Sequence, residues 1–201
     1  MEEIQPRFEF RVWGDHVDDA AAMLGESASA LDSPARGAET YVVALTRSDV
    51  NTKIRGGLVD IKVLHAIAEG CEQWFPWTKA QFPLAAALVE AWLPRLGVPW
   101  LTPERRTYDF EQFLDEVVRT EPALHAVGVD KVRQRFEVEG CLAETAQVTV
   151  EDQELRTLAV ESTDLDALVE VRRRLGLEGM PNVNYPAALK GALGLSLDDV
   201  R

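Results

Sequence analysis

Charge alternates with hydrocarbon along Arg7-Phe8-Glu9-Phe10-Arg11-Val12-Trp13. No other feature of the chain restricts its fold as strongly. Successive side chains of a strand point to opposite faces, so Phe8, Phe10 and Val12 share one face and Arg7, Glu9 and Arg11 the other. The segment predicts a strand with one face for a core and one face that is ionic.

The pattern recurs. Asn51-Thr52-Lys53-Ile54-Arg55 alternates, Gly56-Gly57 supplies the kind of two-residue turn that hairpins favour, and Leu58 to Val63 returns. Lys53 and Arg55 share a face of the first strand, and Asp60 and Lys62 share a face of the second. Whether those two faces coincide depends on register, which the sequence leaves open. From Lys131, the residues Lys131, Arg133, Arg135 and Glu137 alternate with Val132, Gln134, Phe136 and Val138. Leu142 to Val150 and Leu155 to Glu161 then complete an antiparallel meander. Tyr41 to Thr46 is a further strand.

Helical patterns cover His16 to Leu24, Leu84 to Leu93, Phe110 to Val118 behind an Asp109 cap, Asp166 to Leu175, and Tyr185 to Leu193. Ser27 to Gly37 is rich in Ser, Pro and Gly and reads as a loop. Trp74, Phe75, Trp77 and Phe82 read as an aromatic group packing a helical insertion, placed around residues 66–125, against the body. The 201 residues read as one domain, 1–201, long enough to bury a core without disulfides or a structural metal.

Composition narrows the function. A formal net charge of -13 argues against nonspecific nucleic-acid binding, which needs a cationic surface. Acids gather in helix-like segments such as 109–121, while many of the 21 basic residues fall on strands at two-residue spacing. Cys71 and Cys141 lack metal-ligand spacing and read as free thiols of a reducing compartment. His16, His65 and His125 form no local motif. The acidic opening residues and the absence of a long apolar run predict a cytoplasmic chain with no membrane span.

Three segments, 7–13, 51–55 and 131–137, carry two or more Lys or Arg on one face. A solvated sheet face more often mixes Thr, Ser, Gln and both charge signs, because like charges directly opposite repel. An anionic ligand would relieve that repulsion. If these strands close into a barrel, their inward positions would be Arg, Lys and a few Glu and Asp. Such an interior would be wet and would hold phosphates, with arginine forks on paired oxygens and lysines as point charges. The carboxylates suggest a bridging divalent cation.

The charged first strand, the basic hairpin, and the run Arg133-x-x-Phe136-x-x-x-Gly140 leading to Glu161 together resemble the CYTH, or triphosphate tunnel, superfamily. The stretch from Lys131 to Glu161, followed by Ser162-Thr163-Asp164, a helix, Gly176-Leu177 and Asn184-Tyr185, carries the closest match. Roughly half of the chain is covered. The resemblance implies an α+β fold: an antiparallel barrel or tunnel of about eight strands with flanking helices. It implies hydrolysis of a triphosphate compound with Mg2+ or Mn2+, and in some members cyclisation of ATP.

Carried onto this sequence, the resemblance makes Glu9 and Glu161 catalytic and gives the metal to Glu9, Glu144 and Glu161. Arg7, Arg11, Lys53, Arg55, Lys62, Lys131, Arg133 and Arg135 become ligands of a small polyanion, with Lys53 and Arg135 foremost. The sequence departs from the family at two points: Arg7 stands where the family has a glutamate, and Ala159 stands where it has an acid. Hard divalent cations take oxygen ligands, so the loss of two carboxylates weakens a metal site more than an anion grip. A noncatalytic polyphosphate- or nucleotide-binding or sensing protein is the alternative.

Overall fold

The computed structural model describes residues 5–15, 17–99 and 105–195. His16, and with it the expected helix start, lies outside the described residues, as do residues 1–4. The chain runs β1 (Arg7–Trp13), α1 (Val17–Ser27), β2 (Ser29–Ala30), β3 (Ala35–Ala44), β4 (Val50–Arg55), β5 (Leu58–Ala68) and β6 (Cys71–Gln81). It continues through β7 (Leu84–Ala85), α2 (Ala86–Trp92), a 3-10 turn (Leu93–Leu96), β8 (Thr107–Tyr108) and α3 (Phe110–Phe113), which runs into a π turn (Leu114–Val118). The remainder is β9 (Leu124–Val138), β10 (Cys141–Val150), β11 (Gln153–Ser162), α4 (Leu165–Arg174) and α5 (Tyr185–Leu193).

Hydrogen-bonded neighbours follow the order β10-β11-β1-β6-β5-β4-β3-β9, and β9 pairs back onto β10. The sheet is therefore an eight-strand antiparallel barrel with flanking helices, the α+β class expected. Closure leaves no free edge among the eight. The short β2 adds to β9, and β7 pairs with β8 apart from the barrel.

One expectation is corrected. Within residues 66–125 the first part is strand, not helix: Trp74, Phe75 and Trp77 lie on β6. Aromatic side chains suit a pleated, half-buried surface, and that preference wins over the insertion reading. Helix begins only at Ala86. The Phe110 helix is as expected, with Asp109 accepting from the Gln112 backbone N–H and the Gln112 side chain accepting from that of Asp109. β3 begins at Ala35, inside the stretch read as a loop.

The chain packs as two compact units. The first comprises the chain up to Ala38 together with Leu64–Phe75 and Val129–Asn184. In it the apolar face of β1, with Phe10 and Val12, joins Leu158 and Val160 of β11 against Val17, Ala20 and Leu24 of α1 and Leu168 and Val171 of α4. Asp164 caps α4 by accepting from the Ala167 N–H, and Arg172, Arg173 and Arg174 sit at the carbonyl end, where the helix dipole favours cations.

The second unit comprises Glu39–Val63, Pro76–Gly128 and the chain from Tyr185. Val50, Ile54, Val59 and Ile61 pack there against Val89, Trp92, Leu96 and Phe113. Gly56 (φ 55°) and Gly57 (φ 75°) hold the left-handed backbone of the hairpin turn. In both units the helices cover the apolar strand face, so the alternate residues of the same strands face the barrel interior.

Cys71 and Cys141 are buried and free. Among the described residues, no helix is long and apolar enough to cross a membrane.

Candidate functional site

In the first unit the inward row of β1 meets its neighbours in register. Glu9 lies opposite Glu161 of β11 and Glu72 of β6, and Arg11 lies opposite Ala159. On the next strand over, Glu144 of β10 is also opposite Ala159. Carboxylates side by side across a sheet repel, and the structure answers with arginine. The Arg11 Nε donates to Glu9 Oε1 at 2.8 Å, its Nη1 donates to Thr157 Oγ1 at 3.2 Å, and its Nη2 lies 3.8 Å from Glu144 Oε1. Arg133 Nη1 donates to the other Glu144 oxygen at 3.0 Å. Arg11 is only 3% exposed.

Glu72 has a different solution. Burial pushes its carboxyl above the ordinary range; the Glu9 charge adds to the rise, and a hydrogen bond from Asn184 Nδ2, 3.0 Å away, opposes it. The segment that carries Asn184 also pins β1. Asn182 accepts from the Arg11 N–H at 2.8 Å and donates to the Glu9 carbonyl, while the Val183 N–H donates to the Arg11 carbonyl.

In the second unit the register left open by the sequence is settled. Lys53 pairs with Asp60, and Asn51 with Lys62, so Lys53, Arg55, Asp60 and Lys62 share one inward face. Tyr41 of β3 is the other neighbour of Lys53. Glu39, 5% exposed, accepts from the Tyr41 hydroxyl at 3.1 Å and from Arg55 Nη1 at 3.3 Å. Burial lowers the proton affinity of Lys53; Glu39 and Asp60 oppose that shift, and Lys62 and Arg55 reinforce it. Asn51 Oδ1 and Asp60 Oδ1 are buried without a hydrogen-bond partner. Orphaned buried oxygens are rare and mark places for water or a polar ligand.

The remaining sequence candidates scatter. Arg7 is exposed at the start of β1. Lys131, 6% exposed, lines a cleft of about 430 Å³ in the first unit, together with Gly14, Asp15, Arg36, Asp130 and Arg156. Arg135 is half exposed and committed elsewhere: its N–H and its Nε both donate to Asp32, at 2.9 and 2.7 Å. Those two hydrogen bonds, the backbone one first, hold the Asp32 carboxyl below its ordinary range.

The structure thus joins Glu9, Arg11, Arg133 and Glu144 in one network, and Lys53, Arg55 and Lys62 on one face. Sequence reading missed Glu72, Asn182, Asn184, Thr157, Glu39 and Tyr41. Alternation carried back from Tyr41 to Glu39 would have found one of them; the asparagines carry no local signal.

The resemblance also implied a Mg2+ or Mn2+ ion on Glu9, Glu144 and Glu161. Among the described residues, no three carboxylate, histidine or cysteine side chains converge as a metal site. Glu9 and Glu144 instead share a guanidinium. The donor set, as folded, does not fit a divalent cation.

No protein-family model matches the sequence, and no curated protein matches it. Solved structures do match. A conserved hypothetical protein from Pyrococcus furiosus is similar at TM-score 0.51 and 14% identity, over 90% of this chain and 98% of that one. A candidate adenylate cyclase from Bacillus halodurans is similar at TM-score 0.50 and 11% identity, over 91% of this chain and 95% of that one. Identities this low speak to fold. Together with the closed strand order, they show the fold alone: an eight-strand antiparallel barrel with flanking helices, the architecture that the resemblance implied.

Proposed function

We propose that this protein binds a small polyanion of the triphosphate class, inorganic triphosphate or a nucleotide or organic triphosphate, on the inward basic face of Lys53, Arg55 and Lys62. One observation carries the reading: three cations share that face, and one of them, Lys53, loses proton affinity through burial. Like charges held together in a poorly solvated place raise the free energy of the empty state, and a multivalent anion lowers it. Charge-assisted hydrogen bonds to phosphate oxygens would supply the attraction. The fold is shared with a candidate adenylate cyclase, and adenylate cyclisation consumes a nucleoside triphosphate.

Hydrolysis is the second reading, favoured by the direct pairing of Glu9 with Glu161, the two residues the resemblance makes catalytic. Calorimetric titration with tripolyphosphate, ATP and orthophosphate, in parallel with an assay of phosphate release, tests both. Saturable 1:1 binding of tripolyphosphate, far tighter than that of orthophosphate, is the expected result. Absence of saturable binding overturns the first reading, and binding without phosphate release overturns the second.

A further inference from the structure

Three groups on three strands meet at one guanidinium. Arg11 of β1 reaches Glu9 on its own strand, Thr157 on β11 and Glu144 on β10. Thr157 Oγ1 donates onward to the Val12 carbonyl at 2.8 Å, which leaves its lone pairs for Arg11. The backbone of Arg11 is fixed by Asn182 on one side and Val183 on the other. Glu144 has both oxygens engaged, one near Arg11 and one on Arg133.

We infer that Arg11 takes the place of a divalent cation in this barrel: its guanidinium is the built-in counter-charge of Glu9 and Glu144, and polyanion binding proceeds without a metal at these carboxylates. The second half of that statement rests on the proposed function; the first half does not. An arginine stays protonated at every working pH, so this counter-charge is permanent, whereas metal occupancy varies with concentration. A magnesium ion needs near-octahedral oxygens at about 2.0–2.1 Å. Here Glu9 Oε1 already accepts from Arg11 and Glu144 Oε2 from Arg133, and a second cation among these carboxylates would meet the repulsion of Arg11 at close range.

Manganese provides the test, because it can be followed directly by electron paramagnetic resonance. The native chain takes up no stoichiometric Mn2+ below about 1 mM, the weak end of protein cation sites. Arg11→Ala uncovers Glu9 and Glu144 and gains one saturable Mn2+ site together with a Mn2+-dependent rise in melting temperature. Both gains disappear in Arg11→Ala with Glu9→Gln. Should Arg11→Ala not fold, Arg11→Gln is measured in the same way.

Micromolar Mn2+ binding by the native chain that is lost in Glu9→Gln overturns the inference. So does a folded Arg11 variant that gains no Mn2+ site. For the consequence, tripolyphosphate affinity is expected to agree within about twofold between buffer with chelator and buffer with Mn2+. If tripolyphosphate binds in neither buffer, the polyanion reading fails, and the Mn2+ titrations, which do not use that ligand, still decide the role of Arg11.

Discussion

The Arg11 guanidinium and the Glu9 carboxylate lie two residues apart on one strand, 2.8 Å from Nε to Oε1, with Arg11 almost wholly removed from solvent. Taking away one partner of a buried ion pair strands the other, at a cost of about 3–5 kcal/mol. Arg11→Ala is expected to lose that much in urea unfolding. Adding Glu9→Gln to it should recover part of the loss, because the stranded charge is then gone. A loss below about 1 kcal/mol, the range of surface pairs, would contradict the burial argument.

Lys53 and Arg135 separate a cation of the proposed ligand face from one already held by a carboxylate. Lys53→Met is expected to weaken tripolyphosphate binding about tenfold, or roughly 1.4 kcal/mol. Arg135→Ala should leave the affinity within about twofold, since its guanidinium is held by Asp32. The reverse ranking in calorimetry would move the ligand away from the Lys53 face.

Glu72 gives a pH signature. Its folded carboxyl has a higher proton affinity than the ordinary value of 4.5, first because of burial. Folding then takes up a proton, so the favourable contribution is complete below pH 4.5 and is lost as pH rises through the raised folded value. Glu72→Gln removes this loss and retains an acceptor for Asn184. The melting temperature of the variant relative to native should therefore increase with pH across that window. A difference that does not vary with pH would show that Glu72 titrates as an exposed carboxyl.

Thr52 Oγ1 accepts from Trp92 Nε1 at 2.9 Å in the core of the second unit. Thr52→Val keeps the shape but leaves a buried indole N–H unpaired, which should cost about 1–3 kcal/mol. Denaturant unfolding checks this: in a Trp92→Phe background, which lacks the indole N–H, the further cost of Thr52→Val should be close to nothing.

Much of the barrel was legible along the chain. β1, the β4–β5 hairpin and the meander from β9 to β11 carry a two-residue period that needs no knowledge of neighbours. β6 escaped because Trp74, Phe75 and Trp77 suit either a strand or a packed helix, and only pairing with β1 selects between them. The start of β3 was hidden by Ser, Pro and Gly residues that ordinarily mark loops. On the site, Glu144 shares its strand face with the apolar Leu142, Ala146 and Val148, so its own strand gives no sign that it joins Arg11 to Arg133. As a sequence candidate Arg135 stood ahead of Arg133, yet Arg133 joins Glu144 while Arg135 gives its backbone and side-chain N–H groups to Asp32, which arrives from about a hundred residues away.

Alternation within β1 determined by itself that Glu9 and Arg11 share a face, and that Phe8, Phe10 and Val12 occupy the other, because side-chain direction in a strand is a property of the local backbone. Only the tertiary structure decided what Arg11 meets there. Its partners Glu144 and Thr157 arrive from strands more than a hundred residues away, through register and closure, and a one-residue slip would have turned either of them to the opposite face.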